Sequence, residues 1–183
     1  MLRRIIALLS ILASLTVPAM ATQKDPALEG LFARLKTVTD PLQVRILLQA
    51  IWETWTTAGD AALDSLMARG LGQMQSRDLE GAVATFTALI EKAPDFAEAW
   101  NKRATVHWML GNHDASVADI QKTVALEPRH FGAWSGLGMI FEERERFEEA
   151  IRAYEECLKH NPHAEGLRGH IEALKQKAAR QKT

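Results

Sequence analysis

Three of the six histidines, His160, His163 and His170, lie close enough together in the chain to raise the question of a metal site. Zinc sites use His, Cys or carboxylate ligands at short fixed spacings, such as a His pair one helical turn apart. Here the three straddle a helix end and a proline, no cysteine joins them, and no His-x-x-x-His pair occurs. The spacing predicts histidines on solvated surfaces, with no metal and no cofactor. His107 and His113, flanking another helix end, read the same way. Cys157 is the single cysteine, so no internal disulfide forms. Its position on an apolar stripe predicts a buried thiol acting as a small hydrophobe. "GAWSGLG" (Gly132 to Gly138) places Ser135 among glycines, but the Gly-x-Ser-x-Gly frame is not met and no strand precedes it. Neither a nucleophile elbow nor a phosphate loop is predicted. No set of residues forms a catalytic constellation, and an enzymatic or metal-dependent function is the weakest reading.

A chain of 183 residues makes one ordinary domain or one short repeat array. Apolar residues make up 47% and charged residues 25%, the balance of a folded soluble protein. The formal net charge of −1 and the lack of a basic block argue against nucleic-acid binding. The first 21 residues read separately. "MLRR" is a basic start, "IIALLSILASLTV" is an uncharged apolar run, and Pro18 leads into "AMA". This is the order of a secretory signal peptide, with cleavage expected after Ala21 and Thr22 as the new N-terminus. The apolar run is short of the roughly 20 residues that span a bilayer, so no stable membrane insertion is expected after cleavage. Loss of Arg3 and Arg4 leaves 20 basic and 23 acidic side chains. The expected location is periplasmic or secreted.

What must position the remaining residues is a repeat. Pro94, Pro128 and Pro162 recur every 34 residues and divide the chain into units 63–96, 97–130 and 131–164. The fourth place of each unit holds Leu66, Trp100 or Trp134. The eighth holds Gly70, Ala104 or Gly138, and the twentieth Ala82, Ser116 or Ala150. The twenty-fourth holds Phe86, Ile120 or Tyr154. Large residues fill the space between two helices, and small ones let the helices approach at their crossing. Each proline ends one helical hairpin and starts the next, because it lacks an N–H and clashes with the preceding turn. "QSRD", "GNHD" and "ERER" break each unit in two, and apolar residues between the breaks recur at helical spacing. No stretch alternates with period two, so strands are not expected. Trp100 and Trp134 read as core residues.

The third unit, with Trp134, Leu137, Gly138, Phe141, Ala150, Tyr154 and Pro162, resembles the tetratricopeptide repeat family. The second departs from that pattern at Arg103, Ala104, His107 and Ser116, and the first at Leu66, Arg69 and Gln73. The resemblance implies an all-α, right-handed solenoid of three helical hairpins. It also implies a groove lined by the first helix of each unit, which binds an extended peptide or a helix. Carried onto this chain, the groove positions are Met67, Leu71, Met74, Asn101, Lys102, Thr105, Trp108, Met109, Ser135, Met139, Glu142 and Glu143. Methionines and a tryptophan with few central charges describe an adaptable apolar trough. One subgroup of the family holds C-terminal carboxylates in a cationic clamp. Only Asn101 and Lys102 could contribute to one here. In the repeat frame Gly132 and Gly136 leave an indentation on the concave face. The function implied is a non-catalytic protein-binding module, an adaptor or assembly factor with a protein or peptide partner. Self-association of the repeats into a structural protein is the alternative.

Residues 22–62 fall outside the repeat frame. "DPALEGLFARLKTV" and "LQVRILLQAIWETWTTAG" read as two helices of a divergent hairpin, the second opened by Thr39, Asp40 and Pro41 and closed by Gly59 and Asp60. Its stripe of Val44, Leu47, Leu48, Ile51, Trp52 and Trp55 is expected to pack on the first helix of the first unit, capping the array. At the other end, residues 165–183 read as a polar-backed capping helix that seals the last apolar face.

Overall fold

The computed structural model describes residues 22–181. The leader and its expected cleavage point after Ala21 lie outside the described residues. Those described form nine α-helices and no strand, after a short 3-10 helix at Thr22–Lys24. The divergent hairpin is α1 (Ala27–Thr37) and α2 (Pro41–Thr56). The three units follow as α3 (Ala61–Gln75) with α4 (Leu79–Lys92), α5 (Ala97–Met109) with α6 (His113–Leu126), and α7 (Phe131–Glu143) with α8 (Phe147–His160). The last helix is α9 (Leu167–Gln181).

Side chains start several of these helices by accepting the N–H groups that a first turn leaves unpaired. Asp40 accepts from Leu42, Asp60 from Ala62 and Leu63, and Asp78 from Gly81. Asp60 therefore opens α3 and does not close α2, which has already ended at Thr56. The unit turns share one backbone device. Arg77, Gly111 and Glu145, spaced 34 residues apart, all have positive φ. The N–H of each following residue bonds back to Gln73, His107 or Phe141, the closure that ends helices in a left-handed residue.

The hairpin crossings are as tight as the small residues predict. A methyl group at Gly70 would lie 2.6 Å from the Phe86 ring, and one at Gly138 would lie 2.5 Å from the Tyr154 ring. Ala104 and Ile120 fill the equivalent crossing of the second unit together. Ala82, Ser116 and Ala150 are fully buried, and the Ser116 hydroxyl donates to the Ala104 carbonyl at 2.8 Å. At the far end Ile171 and Leu174 of α9 close the last core over Ala150, Ile151 and Tyr154.

Two expectations change. Trp100 and Trp134 are only half-buried. Each indole N–H donates to the carbonyl of the proline six residues earlier, Pro94 at 3.0 Å and Pro128 at 2.9 Å. The tryptophans bracket the joints between units as well as packing against the cores. The second change concerns α1 and α2. Their apolar stripe does not pack on the first helix of the first unit. It joins Phe131 at the start of α7, Cys157 of α8, and Ala164 and Leu167 beyond it. Gln23 donates to the Asp95 carbonyl, Arg129 pairs with Glu29, and His163 bonds the Leu35 carbonyl. With the 3-10 helix before it, the hairpin thus runs as a strap along the edge that holds the two joints between units and the joint to α9. The physical reason is that Phe131, Cys157 and Leu167 offer the stripe an apolar face there to bury against.

Candidate functional site

The pocket of interest lies between α5 and α7, the first helices of the second and third units. It has a volume of about 280 Å³ and a mainly apolar lining. Asn101, Ala104, Thr105 and Trp108 line it from α5, and Ser116 and Ile120 from α6 behind. From α7 come Gly132, Ala133, Ser135, Gly136, Met139 and Ile140. Gly136 leaves the space, since a methyl group there would meet only Ile120, at 3.7 Å, whereas the indentation expected at Gly132 is filled by Trp52. Met139 stands at the rim and is 41% exposed. The Trp108 indole N–H donates to Glu143 at 3.1 Å, which fixes the ring between the two helices.

Apart from Lys102 and the first unit, the groove positions implied by the resemblance are shared among three hollows. Asn101, Thr105, Trp108, Ser135 and Met139 come together around this pocket. Met109, with Trp108, Glu143, Arg77 and His113, lines a shallower hollow next to it. Glu142 lines a third with Met139, Tyr154 and Lys177. The first unit departs. Met67 is 2% exposed and belongs to the core. Leu71 and Met74 are half-buried against that same core. The cause is register: α3 turns these residues toward α4 and α5, so the first unit adds none of them to the pocket. Ala104, Ser116, Ile120, Ala133 and Ile140 were not foreseen as lining. The repeat frame marks them as packing positions, and they stay buried as the wall of the gap between α5 and α7.

Behind Gly132 and Asn101, next to the pocket, lie the strap and a buried charge. Trp52 lies against Gly132, where a methyl group would come within 2.7 Å of its ring. Lys102 sits over the Trp52 ring, 5.1 Å from its centroid. Beneath them Glu98 is 1% exposed. Its carboxylate pairs with the Lys102 ammonium at 2.8 Å and accepts from the Asn101 amide at 3.0 Å. His130 is also fully buried. Its Nδ1 accepts the Ala133 N–H at 3.0 Å, so its Nε2 carries the proton it donates to Glu98 at 2.7 Å. Its ring stacks on Trp55, centroid to centroid 4.1 Å. Burial alone would raise the Glu98 pKa, but Lys102 and His130 outweigh it and hold the carboxyl at about 2. The i, i+4 spacing of Glu98 and Lys102 was a readable signal for this pair; the part played by His130 was not.

Of the other five histidines all but His170 also depart from the solvated surface, His113 being half-buried. His163 is half-buried, and His107 and His160 are half-buried with pKa values lowered by burial. His170 is exposed and meets Glu142 at 2.6 Å. Among the described residues no three His, Cys, Asp or Glu side chains converge as metal ligands would. Cys157 is free and buried, and burial raises its pKa to about 11. Such a thiol is unreactive at neutral pH.

A stack of helical hairpins with a pocket between successive first helices defines a class, the helical-repeat proteins with a concave face. Tetratricopeptide repeat models match residues 67–126 and 132–164. A TPR repeat-containing protein of Rhizobium etli is 30% identical over 156 residues, 85% of this chain and 76% of that protein. The chain belongs to the tetratricopeptide repeat family. Small glutamine-rich tetratricopeptide repeat-containing protein 2 of Mycosarcoma maydis is 27% identical over 116 residues, 63% of this chain and 33% of that protein. Among solved structures, the first TPR of Spaghetti (RPAP3) bound to the HSP90 peptide SRMEEVD superposes with TM-score 0.61 at 20% identity. That match covers 64% of this chain and 93% of the other. The Yersinia enterocolitica type III secretion chaperone SycD, in complex with a peptide of the translocator YopD, gives TM-score 0.61 at 14% identity. It covers 65% of this chain and 96% of the other. At these identities the likeness is one of fold.

Proposed function

We propose that this protein is a non-catalytic interaction module, an adaptor or assembly factor that works outside the cytoplasm. It binds an apolar peptide or helix on its concave face. The observation that carries the reading is the pocket between α5 and α7, apolar and open beside Met139. Such a pocket accepts one large apolar side chain, with Trp108 and Met139 closing over it as an aromatic anchor and an adaptable rim. The peptides bound in the two structural relatives named above belong to those proteins, and they support a peptide as the kind of partner. The leader supports the location, since a basic start, an apolar run and Ala-x-Ala direct export.

Affinity capture from the native envelope, with partners identified by mass spectrometry, tests the site. Gly136→Leu fills the pocket, Met139→Glu charges its rim, and Trp108→Ala removes its aromatic wall. All three variants are expected to lose the partner that the wild type retains. Retention of every partner by all three would show that the groove is not the binding site. Sequencing the N-terminus of the envelope-derived protein tests the location, with Thr22 the expected first residue.

A further inference from the structure

Glu98 is a charged side chain at a place where the neighbouring units manage differently. The equivalent residue of the first unit, Asp64, accepts the Ala58 N–H in the preceding turn, and that of the third is Gly132. Only in the second unit does a carboxylate turn inward, and it turns to the groups a bound anion would use. Asn101 lines the pocket and gives its amide to Glu98 at 3.0 Å. Lys102 gives its ammonium to the other carboxylate oxygen at 2.8 Å. His130 donates to the oxygen shared with Asn101.

We propose that Glu98 is a built-in anion that balances the cation and engages the amide at this side of the groove, and thereby sets its specificity. This rests on the concave face being the binding face. The pair of Glu98 and Lys102 is neutral, and the Asn101 amide is already engaged. An incoming carboxylate would lose its water to meet a cation whose charge Glu98 already balances, and it would face the like charge of Glu98. An apolar side chain entering the pocket meets no such cost. Glu98 therefore excludes acidic peptides and leaves the trough to apolar ones. Its charge persists at every physiological pH, because the pKa of about 2 keeps it ionised.

The acidic heptapeptide SRMEEVD, the ligand of the structural relative named above, serves as the probe, titrated calorimetrically into the purified protein. The wild type is expected to show no saturable binding up to millimolar peptide. Glu98→Gln keeps the size of the side chain and an acceptor for His130, but frees the Lys102 charge. It is expected to bind SRMEEVD at least about ten-fold tighter, with an affinity that falls as salt rises. Adding Lys102→Met to Glu98→Gln is expected to remove the gain. Micromolar binding by the wild type would overturn the proposal whether or not Glu98→Gln folds. So would a folded Glu98→Gln protein that binds no tighter than wild type. An apolar partner captured through the pocket while Glu98→Gln gains nothing leaves the function standing and this inference refuted. A gain for SRMEEVD with no apolar partner captured does the reverse.

Discussion

Gly138 faces the Tyr154 ring at a distance no added methyl group can share, 2.5 Å from its Cε1 atom. Tyr154 is buried, so its ring cannot swing into solvent to make room. Gly138→Ala is therefore expected to destabilise the protein by roughly 1–3 kcal/mol through overpacking, despite the better helix propensity of alanine. Urea unfolding measures it. The second unit supplies the control, because it holds Ala104 opposite Ile120 at the same crossing. Pairing Gly138→Ala with Tyr154→Ile should recover part of the loss, and strict additivity of the two changes would show that they do not share the crossing. This residue pair was readable in the sequence, since fixed spacing alone brings the eighth and twenty-fourth places together. The contact of Trp100 with the Pro94 carbonyl was half-readable. The constant proline-to-tryptophan interval was visible, but not that a hydrogen bond spans it.

Each unit turn closes through a residue with positive φ, and only Gly111 is suited to it. A non-glycine residue in that region costs roughly 1–2 kcal/mol, part of which glycine gives back through the freedom it adds to the unfolded chain. Glu145→Gly is expected to stabilise the protein by about 1 kcal/mol, a rise of roughly 2–4 °C in melting temperature for a chain of this size. An unchanged or lowered melting temperature would show that Glu145 makes a compensating contact. The breaks at "QSRD", "GNHD" and "ERER" were correctly located from composition, and the helices they separate begin and end close to the expected places. The partner of α2 was not readable. Its apolar stripe, centred on Leu47, Ile51 and Trp55, was evident from period alone, but a stripe shows that a face is buried and not what buries it.

Across the whole molecule, the strap of α1 and α2 forms one core with the joints at Phe131 and at Ala164 and Leu167. Deleting residues 22–58 would uncover Phe131, His130, the Glu98 pair and Cys157. The shortened chain is expected to melt at a lower temperature, and its Cys157 to react with a thiol reagent at pH 8. In the intact protein burial and a pKa of about 11 keep that thiol silent. Equal, slow labelling of both forms would show that the strap does not cover the joint. The sequence by itself determined the helices, the 34-residue repeat, the small residues at each crossing and the family, because all of these follow from local spacing. Only the tertiary structure decided that the N-terminal hairpin lies along the joints and that Met67 belongs to the core. It also decided that α5 and α7 part to form a pocket, with Glu98 buried beside it. These depend on contacts between residues distant in the chain, of which periodicity carries no record.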